Sequence, residues 1–347
     1  MTLAVRYTAA RTLDTAPAPS VPPGSGEVVL APAYVGICGT DLHIFHGDMD
    51  ARVATPAVLG HEMSGRIVGV GPDVEGWQVG DAVTVMPLRW DDTCPACRAG
   101  HQHVCQHLDF IGIDSPGAMQ QRWTVPAATL IRLPESLPLD RAALVEPTAV
   151  AVHDVGRAQV GEGEKVVVVG GGPVGVLIAL VAQAAGAEVR VVELSAHRRA
   201  LAEGLGLTVW DPAADDIGTL VGTWTADAGA DVAFEVSGAA GGVDTAVEVL
   251  GVRGRLCLVA IHPRPREVNL HRFFWRELTL VGARLYDRSD FEKAVALVAD
   301  GTIPADRLIS KVVPLTQAPA AFEALEGGGD VMKILVDCTD DTQGAAV

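Results

Sequence analysis

Short runs in which apolar and polar residues alternate fill the first part of the chain. Glu27–Ala33, Arg66–Val70, Ala82–Val85 and Arg122–Val125 have the length and composition of strands. Gly24-Ser25-Gly26, Gly71-Pro72-Asp73 and Gly80-Asp81 separate them as turns. This predicts a β-rich domain over residues 1–150. From Glu164 the pattern changes to unbroken apolar runs at Lys165–Val169, Glu188–Val192, Asp231–Val236, Arg255–Ala260 and Glu277–Ala283, with helical stretches between them. Alternating strand and helix predicts a doubly wound parallel sheet over 151–285, so the fold class is α/β with a β-rich partner domain. After Leu285 the pattern changes again. Ser289-Asp290-Phe291-Glu292 reads as a capping box leading a helix to about Val298, a second helix falls near Ala318–Leu325, and Val331–Val336 is a last strand. No partner in the doubly wound sheet remains for that strand, which predicts that the segment 286–347 returns to the first domain.

The stretch Val166–Ala187 carries no charge and is long enough to suggest a membrane span. Its glycines and Pro173 divide it instead into strand, turn and helix. Gly170-Gly171-Gly172-Pro173-Val174-Gly175 follows the strand and opens the helix, and Glu193 ends the next strand. A glycine-rich turn alone is a weak signal, but this bracketing, with an acid at that distance, is a dinucleotide fingerprint. Gly170 makes the turn, Gly172 admits the pyrophosphate, Gly175 lets helix and strand pack, and the helix N-terminus at Pro173 and Val174 favours phosphate charge. Glu193 can hold both ribose hydroxyls and would repel a 2′-phosphate, which favours NAD. Arg198 and Arg199 keep NADP as the alternative. The strand ends at Ser237-Gly238, Ala260 and Gly282-Ala283 are expected to line the cofactor crevice.

At 347 residues the chain is long for one core, which agrees with two domains. Its formal charge of -17 argues against sequence-independent binding to nucleic acid or to anionic membrane. The basic residues cluster only at Arg264-Pro265-Arg266, Arg272 and Arg276. No export leader is visible, and the 6 cysteines are spaced for metal rather than disulfides, so a reducing cytoplasm is expected.

Those cysteines carry the chemistry. Cys38-Gly39-Thr40-Asp41-Leu42-His43 and Gly60-His61-Glu62 bring thiolate, imidazole and carboxylate, the ligand types of a catalytic zinc with an open position. The wide separation of Cys38 from His61 is unlike the short paired spacings of a structural finger. Thr40 and His43 between them supply a hydroxyl and an imidazole that can carry away an alcohol proton. A second lobe contains Cys94 and Cys97 as a CxxC pair, then Cys105. Three cysteines leave a tetrahedron one ligand short, and Asp91, His101 and His103 are the local candidates.

In this combination and order, CGTDLH, GHE, the cysteine lobe, Glu146-Pro147 and GGGPVG, the chain resembles the zinc-dependent medium-chain alcohol dehydrogenases over nearly its whole length. The resemblance implies a GroES-like β domain interrupted by a Rossmann domain. Glu146-Pro147 is similar to the polyol branch, which includes sorbitol, butanediol and threonine dehydrogenases. It further implies that Cys38, His61 and one or both of Glu62 and Glu146 bind catalytic zinc, directly or through its water. Thr40 is then the hydroxyl nearest the substrate and His43 the outer proton acceptor. Asp91 stands where four-cysteine members have their first cysteine, which implies a structural zinc on Asp91, Cys94, Cys97 and Cys105.

The expected function is NAD-dependent oxidation of a secondary alcohol in a polyol, vicinal diol or sugar-like small molecule, giving a ketone. Threonine or simple-alcohol oxidation is the second reading, and a noncatalytic NAD-binding redox sensor is the reading from another class. Relatives imply a homodimer or homotetramer. His153, Cys257 and Cys338 are expected to be packing or tail residues, and the Trp275 region core or subunit contact. Phe45, His46, Arg284 and Tyr286 are candidates to face substrate.

Overall fold

In the computed structural model, which describes residues 2–262, 264–326 and 331–339, the alternating runs form antiparallel sheets and the unbroken runs form one parallel sheet. By internal contact the chain divides into Met1–Glu146 with the chain from Asp287 onward, and Pro147–Tyr286.

In the first unit the strand Glu27–Gly36 is the axis. It pairs antiparallel with Glu62–Val70, with Trp123–Pro126 and with the closing strand Lys333–Asp337, which itself pairs in parallel with Ile309–Pro314. Glu62–Val70 continues outward to Ala82–Val85 and then Leu130–Arg132. On one face of this sheet Leu30, Val35, Met63, Ile67, Val83 and Val336 are buried. A smaller sheet joins Thr2–Ala9 to Thr12–Ala18 and Ala57–Val58. The register puts Gly36 opposite Glu62 on one side and Leu335 on the other. A Cβ on Gly36 would lie 2.1 Å from Glu62 Oε2, so the strand must be bare there. Just past Gly36 the chain leaves the sheet and turns into the helix Gly39–His46, with Cys38 as its N-cap.

The capping box expected at Ser289 forms two residues earlier. Asp287 is the N-cap and Asp290 its return partner, whose Oδ2 accepts from the Asp287 N–H at 2.8 Å, so the helix is Arg288–Ala299. Arg288, the first residue of that helix, donates to the Leu130 carbonyl at 2.7 Å, and Asp287 meets His103 Nδ1 at 3.0 Å. These tertiary contacts select the earlier of two overlapping capping sequences.

The second unit is a six-stranded parallel sheet in the order Thr208–Trp210, Glu188–Val192, Lys165–Val169, Ala230–Glu235, Leu250–Leu258, Thr279–Gly282. Val166, Val167 and Val168 at its centre are wholly buried, as strands covered on both faces require. The uncharged stretch is the Lys165–Val169 strand, a turn and the helix Pro173–Ala184. Among the described residues no helix is long and apolar enough to cross a membrane.

Close approach explains two of the fingerprint glycines. Gly170 has φ +110°, and a Cβ there would sit 2.9 Å from the Ser237 nitrogen; a Cβ on Gly175 would lie 1.9 Å from the Gly170 carbonyl oxygen. Gly175→Ala should therefore force helix and turn apart, at a cost of about 1–3 kcal/mol. Urea denaturation should show the loss, and titration with NADH should show weakened binding.

Candidate metal and dinucleotide sites

The first site is built where Glu27–Gly36 runs out into Cys38. Ligand atoms of Cys38, His61 and Glu62 lie within 4.8 Å of one another. Glu62 is buried at the start of its strand and His61, also buried, just before it; Thr40, half-buried, and His43, exposed, are carried on the helix that follows Cys38. Glu146 is buried as well and close enough to act on the charge of His61 and of Lys333, but it stands outside the cluster of three ligand atoms.

Two groups at this site were not singled out by sequence reasoning. Lys333 Nζ donates to both oxygens of Glu62, at 2.8 and 2.7 Å, and to the Ile37 carbonyl at 3.2 Å. Asp41, with no exposed surface, accepts from the Cys38 N–H at 2.9 Å through Oδ2 and aims Oδ1 at His61 Nδ1, 3.7 Å away. A signal existed for each: a lysine opening the apolar run Ile334–Val336, and an acid inside the CGTDLH motif.

The donor set fits a dication. Burial alone would lower the pKa of His61, but Asp41, Cys38 and Glu146 overcome it and raise the pKa well above the ordinary imidazole range. Asp41, Glu62 and Glu146 are three buried acids facing Lys333 as their fixed cation, and burial pushes the Asp41 carboxyl above its ordinary range, so its charge is costly without a further cation. Such an excess of buried negative charge is stabilised by a bound metal. With Nδ1 turned to Asp41, Nε2 is the atom that His61 could give to a metal, the usual division of labour in a metal-binding imidazole.

The second lobe gathers Asp91, Cys94, Cys97 and Cys105, again with ligand atoms within 4.8 Å. His101 and His103, the other candidates, lie outside it, and His103 is engaged by Asp287. Cys94 Sγ accepts N–H groups from Gln106 and Cys97, which push its thiol down to about 7. Asp91 accepts through Oδ1 from the N–H groups of Thr93 and Cys94, and its Oδ2 lies 2.5 Å from His107 Nδ1. His107, first among these partners, holds the Asp91 carboxyl well below the usual range.

In the second unit Gly172 is the N-cap and Pro173 and Val174 the first turn of the helix Pro173–Ala184. Nothing but Arg198 Nη1 approaches the bare face of Gly172, at 3.8 Å from an added Cβ. Glu193 sits beside the turn, Oε2 accepting from the Gly171 N–H and Oε1 from the Ser195 N–H, each at 2.7 Å. Arg199 is held by Asp211 at 2.7 Å and donates to the backbone carbonyls of Glu193 and Leu194 at 3.1 and 2.6 Å. Ser237 and Ala260 lie at the strand ends, where Ala260 N–H donates to the Glu235 carbonyl at 3.1 Å. The Glu235 side chain, which sequence reasoning did not select, accepts from Ser237 N–H at 2.9 Å and Oγ at 2.5 Å, and meets His262 Nε2 at 2.9 Å.

Of the remaining candidates, His153, Cys257 and Cys338 are buried. Phe45 is buried too, its ring 5.6 Å from Phe322, and Tyr286 has no exposed surface; both pack in the core rather than offering a face to substrate. Trp275 is 67% exposed, which rules out the core as its place.

Residues 24–135 match the family model described as the alcohol dehydrogenase GroES-like domain, and 173–300 match that of the zinc-binding dehydrogenases. The chain is 46% identical over 335 residues to 2-dehydro-3-deoxy-L-galactonate 5-dehydrogenase of Pseudoalteromonas atlantica, covering 96% of this chain and 98% of that one. The structure of 2R,3R-butanediol dehydrogenase from Bacillus subtilis superposes with a TM-score of 0.90 at 30% identity, covering 97% of this chain and 99% of that one. A zinc-binding dehydrogenase from Sinorhizobium meliloti, solved with NADP, gives 0.90 at 29% identity over 97% and 99%. Fold and site thus define a zinc-binding, nucleotide-dependent oxidoreductase. The chain belongs to the zinc-dependent medium-chain alcohol dehydrogenases, in their polyol branch.

Two measurements follow. Lys333→Met leaves Glu62 buried without its cation, and should destabilise the zinc-free protein by about 3–5 kcal/mol in urea denaturation. Metal analysis should give about two zinc ions per chain, falling to one in Asp91→Ala and returning to two in Asp91→Cys, since four ligands close a structural site.

Proposed function

We propose that the enzyme oxidises a secondary alcohol of a hydroxylated sugar acid or related polyol to a ketone, with NAD as hydride acceptor. The observation that carries this is the cluster of Cys38, His61 and Glu62 within a buried excess of negative charge. The 46% identical relative, whose substrate is a sugar acid, supports the acidic polyol over threonine or a simple alcohol. A noncatalytic redox sensor would have no need of Thr40 and His43 alongside intact ligands.

Cys38 and His61 hold the zinc, with Glu62 or Glu146 as oxygen ligand, directly or through water. Asp91, Cys94, Cys97 and Cys105 hold the structural ion. Catalytic zinc supplies Lewis acidity, lowering the pKa of a coordinated hydroxyl. Thr40 Oγ1 takes the hydroxyl proton as it leaves and passes its own to His43, which is exposed and releases it to solvent. The alcohol carbon gives up its hydride, so one proton and one hydride leave and a carbonyl remains.

NAD is preferred because the Glu193 carboxylate occupies the position where a 2′-phosphate would arrive. Gly170, Gly172 and Gly175 shape the turn for the pyrophosphate, Pro173 and Val174 present the helix N-terminus to it, and Arg198 is available to the same phosphates. Ser237 and Ala260 line the crevice. A homodimer or homotetramer is supported by the exposed Leu270, Phe274 and Trp275 and by Leu280, exposed on the outer strand Thr279–Gly282.

Sugar acids, polyols, diols, threonine and primary alcohols should be assayed with both cofactors. The expected outcome is best turnover on a sugar acid with NAD, at least about tenfold over NADP, since a like-charge clash costs several kcal/mol. Cys38→Ala should abolish it. A sugar acid turned over no better than threonine, or full activity in Cys38→Ala, overturns the reading.

A further inference from the structure

The helix Gly39–His46 carries both groups of the proton path, and it ends in an unusually determined way. Gly47 takes φ +86°, its N–H bonds the Ile44 carbonyl at 2.9 Å, and the next N–H, of Asp48, bonds the His43 carbonyl at 3.0 Å. That is the Schellman closure of a helix, which fixes the residue after the glycine relative to the last turn. Gly47 cannot be replaced cheaply, because a Cβ there would lie 2.9 Å from Ala10 Cβ in a left-handed backbone. The residue so fixed is an aspartate, and its Oδ2 lies 3.1 Å from His43 Nδ1.

We propose that Asp48 is a positioning residue for the proton path: it holds the proton of His43 on Nδ1 and so keeps Nε2 as the accepting nitrogen. The inference rests on the reading of His43 as proton acceptor given above. A neutral imidazole has one donor and one acceptor nitrogen, and the hydrogen bond made by one decides the role of the other. A carboxylate can only accept, so the contact at 3.1 Å requires the proton on Nδ1. Without it, the tautomers of an exposed imidazole interconvert, and for part of the time the nitrogen that should accept carries a proton. The ring would also turn freely, since Asp48 is the hydrogen-bond partner that it has among the described residues. The aspartate touches neither substrate nor metal; it acts through His43 alone. Because both side chains are substantially exposed, the contact is one that orients more than it stabilises.

A double-mutant cycle in the zinc-loaded enzyme tests this. Asp48→Asn can offer its amide N–H to Nδ1 and so stabilise the wrong tautomer; Asp48→Glu keeps the carboxylate. Asp48→Asn should lower kcat about tenfold, part of the 10²–10⁴ that general acid–base catalysis supplies, with KM and zinc content within twofold of the parent. Asp48→Glu should recover part of the loss. In a His43→Asn background, Asp48→Asn should change kcat by less than twofold, because the residue through which it acts is gone. If His43→Asn is slow while Asp48→Asn turns over at the parent rate, or if the two losses multiply, Asp48 has no positioning role and the proton path stands. If His43→Asn itself turns over at the parent rate, the proton path falls and the role of Asp48 with it.

Discussion

A single buried ion pair ties the first unit to its own far end. Glu62 begins the strand that follows His61, Lys333 begins the closing strand, and Glu27–Gly36 runs between them. The lysine reaches Glu62 over the one position on that middle strand with no side chain, Gly36. Burying both charges is expensive, and their attraction offsets the cost only when hydrogen bonds fill the remaining positions. Here Lys333 finds them in two carboxylate oxygens and the Ile37 carbonyl, one residue before Cys38. The pair therefore fixes two things together: the register of the returning strand and the backbone from which Cys38 departs.

Much of this was legible in the sequence, and the division follows from the range of the interactions. Lys165–Val169 and Glu188–Val192 were readable to the residue, because burial on both faces writes itself as an unbroken run. That Cys38, His61 and Glu62 come together was readable because ligand types are few and the three stand in one another's company in the sequence. Lys333 and Asp41 were not, because a lone charge in a strand or a helical turn acquires its meaning from a residue far away in sequence or across the turn. The cap at Asp287 was missed for a related reason. Two overlapping sequences each satisfy the local rule, and contacts of Arg288 with Leu130 and of Asp287 with His103 select between them.

The second unit uses one device twice. Glu193 directly follows one parallel strand and Glu235 ends another, and each accepts through Oε1 from the N–H two residues later, of Ser195 and Ser237. The second oxygen then reaches outward, to the Gly171 N–H in one case and to His262 in the other. Strand-end carboxylates thus pin the loops against which the glycine turn packs. The turn is held open by its surroundings rather than by its own stiffness, which glycines lack. A preformed turn leaves less ordering cost to the dinucleotide when it binds.

The same economy of charge explains why the cysteine lobe tolerates Asp91. An aspartate carries the same single negative charge as a thiolate, so the net charge around a divalent ion is unchanged by the exchange. What changes is softness and anchorage. Oxygen binds zinc less tightly than sulfur in a site of this kind, and a carboxylate can pivot where a thiolate cannot. The surroundings remove that freedom: two backbone N–H groups hold one oxygen and His107 meets the other. Of the four groups gathered there, three are buried sulfur, and the oxygen lies at the partly exposed edge of the lobe. Exchange of the ion should then proceed from the Asp91 side, making His107 the residue whose removal speeds metal loss to a chelator without altering the zinc content of the freshly loaded protein.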